Sequence, residues 1–153
     1  MKSIVIFGGA GFIGKHLIRR LAKNGYKIIV PYQKSIQEAK IRLLGTTGQI
    51  IPFRYNSLND KRLKSVLQNT DICINLKTTY DLKKGTFNET IFKFNQKLLK
   101  LLKSNQELKQ YIFFSGLGTD IDKNSTRSKA IFKSEKDAFK IIDNVAIIRP
   151  GVI

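Results

Sequence analysis

Six short runs rich in β-branched and aromatic residues recur along this chain: KSIVIF (2–7), YKIIVP (26–31), QIIPFR (49–54), DICIN (71–75), QYIFF (110–114) and VAIIRP (145–150). Each run except the last is followed by a segment of helical periodicity. Strands that alternate with helices can share one sheet only through crossover connections, so the pattern predicts an α/β fold: a doubly wound parallel sheet of six strands with helices on both faces. The punctuation agrees. Asn24-Gly25 is expected to stop the first helix, Ser35-Ile36-Gln37-Glu38 reads as a capping box opening the second, and Gly45 is expected to close it with a left-handed cap. Asn59 precedes Leu63, Val66 and Leu67, the apolar face of a short third helix. With 153 residues, 42% of them hydrophobic, and neither repeats nor a low-complexity linker, residues 1–153 read as one domain.

The first strand-to-helix junction carries FGGAGFIG, with Gly8, Gly11 and Gly14 at two-residue gaps. Such a turn lets backbone approach a pyrophosphate, while the following helix offers free N–H donors and a partial positive charge. Gly8 would make the turn, Gly11 the close approach, and Gly14 the contact between helix and sheet. Gly8, Gly11, Phe12, Ile13 and Gly14 are therefore the residues expected at a dinucleotide, and the position at the first βα junction is the context this motif requires.

Charge is the other conspicuous property. Lys and Arg number 28 against 11 acidic residues, a formal net charge of +17. That balance suits nucleic acid or an anionic membrane surface. The lysines are nevertheless scattered, without a run of five like charges and without interleaved aromatics that would stack on bases, so no specific nucleic-acid partner is expected. Lys93, Lys97, Lys100 and Lys103 fall at helical spacing opposite an apolar stripe of Ile91, Phe94, Leu98 and Leu101. They form a solvated face, or one that meets an acidic partner or a membrane surface peripherally. No apolar stretch approaches the ~20 residues of a membrane-spanning helix. The first strand begins at residue 2, so a soluble, cytoplasmic chain without a targeting segment is expected. Cys73 is the only cysteine and reads as a small buried hydrophobe. His16 is the only histidine, and Asp120 and Asp122 lack further acidic neighbours, so metal sites and histidine-based triads lack parts.

GGAGFIG, with its gaps, resembles the extended short-chain dehydrogenase and epimerase/dehydratase family, whose nucleotide-binding half is a Rossmann fold. VPYQ, IRLLGTTGQI, DICINL, FFSGLGTD and IIRPGVI follow in the order seen in the atypical branch that serves as an accessory subunit of respiratory complex I (NADH:ubiquinone oxidoreductase). The resemblance covers the chain but only about the N-terminal half of the family's usual length, so the C-terminal substrate lid is expected to be absent. It implies an NAD(P)(H) cofactor of structural rather than catalytic use, complex I subunits as partners, and a place at the cytoplasmic or matrix face of the respiratory membrane. In the family an arginine after Pro-Tyr meets the 2′-phosphate of NADPH. Here Tyr32 is followed by Gln33 and Lys34. The absence of the Asp or Glu that an NAD site places there still favours NADP(H) over NAD(H). Asn56, Ser57 and Leu58 correspond to the family's adenine-contacting loop, and Asn75, Leu76 and Lys77 to the loop that passes the ribose.

Active relatives use a Ser, a Tyr and a Lys. Ser115 matches the serine, and it is counted with the cofactor residues as well. Lys129 resembles the lysine, with Ser125 where the tyrosine should stand; counting back from Arg149-Pro150 without a gap puts the pair instead at Ile131 and Arg127. Neither alignment finds a tyrosine, and Tyr26, Tyr32, Tyr55, Tyr80 and Tyr111 all precede this helix. A serine hydroxyl is too weak an acid to replace a phenol. Ser115 and Lys129 therefore read as remnants of a catalytic set. The alternative is a reductase or epimerase/dehydratase acting on a nucleotide sugar or a small carbonyl compound.

Overall fold

In β1 (Ser3–Phe7), Ile4 and Ile6 pack into one apolar cluster while Val5 and Phe7 pack into another. A strand buried on both faces belongs in the middle of a sheet. A computed structural model describing residues 2–46, 48–80, 82 and 85–151 places it there. Six parallel strands run in the order β3-β2-β1-β4-β5-β6, with β2 at Lys27–Tyr32, β3 at Ile50–Arg54, β4 at Ile72–Asn75, β5 at Gln110–Phe114 and β6 at Val145–Ile148. Helices α1 (Phe12–Lys23) and α2 (Ser35–Arg42) cover one face through Ile18, Ile41 and Leu44. The other face is covered by α3 (Lys61–Gln68), α4 (Phe94–Leu102) and α5 (Thr126–Ile141), through Leu63, Leu67, Leu98, Leu102, Ala130 and Ile131. This is the Rossmann arrangement, and all six expected strands are present.

Strand order reverses between β1 and β4, which run side by side with Phe7 opposite Asn75. Loops leaving two such strands diverge to opposite sides and open a crevice at the carboxyl end of the sheet. The two loops begin in contact. Leu76 donates its N–H to Phe7 O at 2.9 Å, and a Cβ on Gly8 would stand 3.1 Å from the Leu76 carbonyl carbon.

Local punctuation differs from expectation at the Ser35 capping box and at Gly45. Helix α2 starts one residue early: Lys34 is its N-cap, and Gln37 Oε1 accepts the N–H groups of Gln33 and Lys34, so Glu38 is free to pair elsewhere. Helix α3 is capped by Asp60 through the Arg62 N–H. Gly45 is not a left-handed cap. It is small because a Cβ there would lie 2.6 Å from Ile50 Cδ1. Asn24-Gly25 behaves as expected: Gly25 has φ +78°, and Gly25 and Tyr26 donate to Ala22 O and Leu21 O.

Residues Asn88–Lys93 form a π-helical turn that runs straight into α4. Along the combined element Lys93, Lys97, Lys100 and Lys103 are exposed while Ile91, Phe92, Asn95, Leu98, Leu99 and Leu102 are buried. Of the expected stripe, Phe94 and Leu101 are only partly buried, because the wider π turn rotates the inward face. Among the described residues, no helix is long and apolar enough to cross a membrane. Residues 152 and 153 of the IIRPGVI motif and Thr47 of IRLLGTTGQI lie outside the described residues.

Candidate functional site

Gly8 sits at φ +78°, a conformation that L side chains adopt at a cost, and this turns the chain from β1 back toward α1. Gly11 closes the turn with a 3.0 Å bond from its N–H to Gly8 O and is the N-cap of α1. A Cβ on Gly11 would meet only Gly8 O, at 3.2 Å, so its outer side is open. Gly14 is different: a Cβ there would lie 2.4 to 2.6 Å from the backbone of Gly9. Gly9 is equally constrained, with Val30 Cγ1 2.6 Å from its own Cβ position, although nothing in the motif spacing singles it out. The helix thus presents its first-turn N–H groups at the crevice, with no acidic residue in that turn.

Two clefts meet at this turn, and Gly8, Gly11, Leu76 and Thr78 line both. The first, about 650 Å³, continues toward β5 and β6, past Phe12, Ile13, Gly14, Ser115, Gly116, Thr119, Arg127 and Pro150. The second, about 640 Å³, continues over β2, past Tyr32, Gln33, Lys34, Tyr55 and Lys77. Each has the size of a small-molecule site. Together they form a bent trough whose midpoint is the amino end of a helix.

In the second cleft, Tyr32 donates its hydroxyl to Glu38, and Arg42 holds the same carboxylate at 2.6 Å. The Tyr32 bond first, then Arg42, keep Glu38 below its ordinary pKa, while the bond to Glu38 and then burial raise that of Tyr32. Glu38 is therefore occupied and does not line the cleft. Gln33 gives its side-chain N–H to Asn56 O at 3.0 Å, and Lys34 is exposed. Arg54, which sequence reading passed over, lies opposite Tyr32 in the β2–β3 register. Lys77 is drawn inward with Nζ 4.1 Å from the Phe94 ring centroid, and burial pushes its ammonium below the ordinary value. Burial pushes the phenol of Tyr55 up to about 12, so it stays protonated.

Other residues expected at a cofactor stand back from the clefts. Leu58 is buried in the core. Asn56 is exposed and enters only through its carbonyl bond to Gln33, and Ser57 caps the Asn59 N–H. Asn75 is buried: its amide donates to Asn95 Oδ1 and the Tyr111 hydroxyl at 3.0 and 3.2 Å, and its carbonyl accepts from Lys77 N. It braces the loop that carries Leu76 and Lys77 and offers no group to the trough.

The first cleft holds Ser115, but its hydroxyl is already engaged. It donates to Glu135, a carboxylate only 3% exposed, which is bridged by Arg149 Nε at 2.9 Å and Nη2 at 2.5 Å. Arg149 also reaches Asp120 at 3.0 Å, which raises its own pKa further. Lys129 is exposed and lines neither cleft. Ser125 is the N-cap of α5, accepting the Ser128 N–H, and Ile131 is buried in the core. Arg127, from the alignment without a gap, is the α5 residue of those four that faces the cleft. A tyrosine does reach this space, from the loop after β4: the ring of Tyr80 lies 3.7 Å from the Arg127 guanidinium carbon. Sequence reading set Tyr80 aside because it precedes α5 by more than forty residues. Asp122 shapes the preceding loop, accepting from Asn124 N, Ser125 N and the Ser128 hydroxyl. His16 is exposed, its ring edge-on to Phe12.

Comparison with known proteins gives a consistent picture. The family model described as NAD dependent epimerase/dehydratase family matches residues 4–128. The mitochondrial protein named NADH dehydrogenase (ubiquinone) 1 alpha subcomplex subunit 9 is 26% identical over 150 residues in Arabidopsis thaliana and 30% identical over 152 residues in Dictyostelium discoideum. Each alignment takes in 97% of this chain, which spans 37% and 41% of the lengths of those two relatives. Among solved structures, Gre2 in complex with NADPH from Candida albicans superposes with a TM-score of 0.76 at 12% identity, over 99% of this chain and 58% of that one. At that identity the likeness is one of fold.

Proposed function

The chain belongs to the NAD dependent epimerase/dehydratase family, and from that premise we propose that it holds one NADP(H) across the two clefts as a structural element rather than a turned-over cosubstrate. The observation that carries this reading is the meeting of both clefts at Gly8 and Gly11, over the amino end of α1. Phe12, Ile13 and Gly14 would offer N–H groups to the pyrophosphate. Tyr32, Gln33 and Lys34 would border the adenosine half, and Ser115 and its neighbours the nicotinamide half. The group fits: Gly11 is open on its outer side, and the first turn of α1 carries no acidic residue. Glu38, which would repel a 2′-phosphate, is turned away and neutralised by Arg42, while Lys34 is free to meet one. When bound, the cofactor supplies hydride chemistry in active relatives. This chain's own residues support binding without it. Ser115 spends its proton on Glu135, Lys129 is outside the clefts, and α5 carries no tyrosine.

The second reading, a reductase or epimerase/dehydratase for a nucleotide sugar or small carbonyl compound, draws on Tyr80 in the first cleft. The resemblance to the mitochondrial NADH dehydrogenase subunits further supports assembly with complex I subunits at the matrix or cytoplasmic face of the respiratory membrane. Mass spectrometry of nucleotide released from purified protein, followed by fluorescence titration with NADPH and NADH, tests the cofactor. Tighter binding of NADPH is expected, and about tenfold tighter NADH binding would overturn the preference. A carbonyl and nucleotide-sugar panel with NADPH is expected to show no turnover above background. Robust activity that disappears in Tyr80→Phe would establish the second reading.

A further inference from the structure

The lining of the first cleft includes Phe12, Ile13, Leu76, Tyr80, Phe114, Leu117 and Pro150, and among the described residues that line it Arg127 alone is charged. Its Nε–H donates to Thr79 O at 2.9 Å and one Nη2 N–H to Thr78 O at 3.0 Å, while Tyr80 stacks on its plane. These contacts use two of five donors and fix the fork. Both acceptors are neutral carbonyls, and Arg127 enters none of the ion pairs among the described residues. Among the described residues, Glu135 and Asp120 bind Arg149, and Asp122 binds loop N–H groups and Ser128. Phe12, Tyr80 and Leu117 are exposed although they are among the largest apolar side chains at the site.

We propose that this cleft is a binding site for a small organic anion with an apolar body, its carboxylate or phosphate head held by the Arg127 guanidinium and its body by Phe12, Tyr80 and Leu117. A planar, permanently charged fork with free donors is suited to an oxyanion. The surrounding apolar area rewards a hydrocarbon or aromatic tail, and Ser128 and Thr119 add hydroxyls beside the head. The assignment stands on the cleft as it is without a dinucleotide; a nicotinamide half bound there, as proposed above, would share its space.

Calorimetric titration of the purified chain with octanoate, octyl phosphate and octanamide, each with and without saturating NADPH, tests it. Saturable one-to-one binding is expected for at least one of the two anions, about tenfold or more tighter than for the neutral octanamide. Arg127→Gln should weaken that anion to the level of octanamide and leave octanamide unchanged. The stronger of octanoate and octyl phosphate identifies the head group. Equal binding of octanamide and both anions, no saturable binding of either anion, or an Arg127→Gln protein of normal circular dichroism with unchanged anion affinity would each overturn the proposal. If Arg127→Gln fails to fold, the comparison of charged and neutral ligands on the unaltered chain decides. Because the titrations without NADPH need no nucleotide, loss of anion binding and loss of NADPH binding are read separately.

Discussion

Gly11 and Gly14 stand three residues apart in one turn and should respond in different ways to added carbon. Gly14→Ala places a methyl within 2.6 Å of the Gly9 backbone, so the helix must move off the sheet. A loss of ~2 kcal/mol in urea unfolding is expected. A Cβ at Gly11 meets only Gly8 O, so Gly11→Val should leave the fold nearly intact while filling the space proposed for a pyrophosphate. Near-wild-type unfolding together with loss of NADPH binding by titration is the expected pair of results. The glycines were legible because their spacing is set by backbone geometry. Side-chain direction was less so. Asn75 and Leu58 turn inward, since a single polar or apolar letter does not say which way a residue faces near a strand end. Gly9 and Tyr80 were missed for a related reason: both are defined by neighbours far away in the chain, Val30 for one and Arg127 for the other.

Elements are joined at the sheet ends by two polar clamps. At the amino end Asp71 accepts from Lys109 Nζ at 2.8 Å and from Ser3 N at 2.8 Å, and the Lys109 ammonium first, then the Ser3 N–H, hold its carboxyl at about 2 against an ordinary 3.8. A depressed carboxylate stabilises the fold above its unfolded value and loses that contribution as pH falls through the folded one. The stability difference between wild type and Asp71→Asn should therefore shrink as pH falls from about 4 to about 2. Urea unfolding across that range checks it. At the carboxyl end Arg149, next to β6, grips Glu135 on α5 and Asp120 in the loop after β5. Arg149→Ala leaves a buried carboxylate unpaired and should cost ~3 kcal/mol in unfolding free energy, with much of it recovered by adding Glu135→Gln. Strands and helices were readable from periodicity, since burial on two faces imposes it. Their ends were readable only to within a residue, because Lys34 takes the cap that Ser35 was expected to fill. The π turn before α4 left no sequence signal.

At the scale of the molecule, the doubly wound sheet puts its two clefts and the lysine face of α4 in different places. The exposed lysines of the π turn and α4 line neither cleft. If this face meets acidic subunits or anionic headgroups, association should weaken with salt, since exposed charges are screened over ~8 Å at physiological ionic strength. The triple variant Lys93→Glu, Lys97→Glu, Lys100→Glu should reduce co-fractionation with respiratory membranes while leaving NADPH affinity unchanged. Protein found wholly unassociated at low salt would remove this part of the account. The charge was plain in the sequence, and its separation from the trough became visible only with the sheet order. The central claim is that one dinucleotide spans both clefts across the α1 amino end, and amide chemical-shift mapping during NADPH titration tests it most directly. The account predicts that resonances of Phe12 to Gly14, of Gln33 and Lys34, and of Ser115 and Gly116 shift together and saturate at one equivalent. Saturation confined to one cleft, or no shift at the α1 amino end, would contradict it.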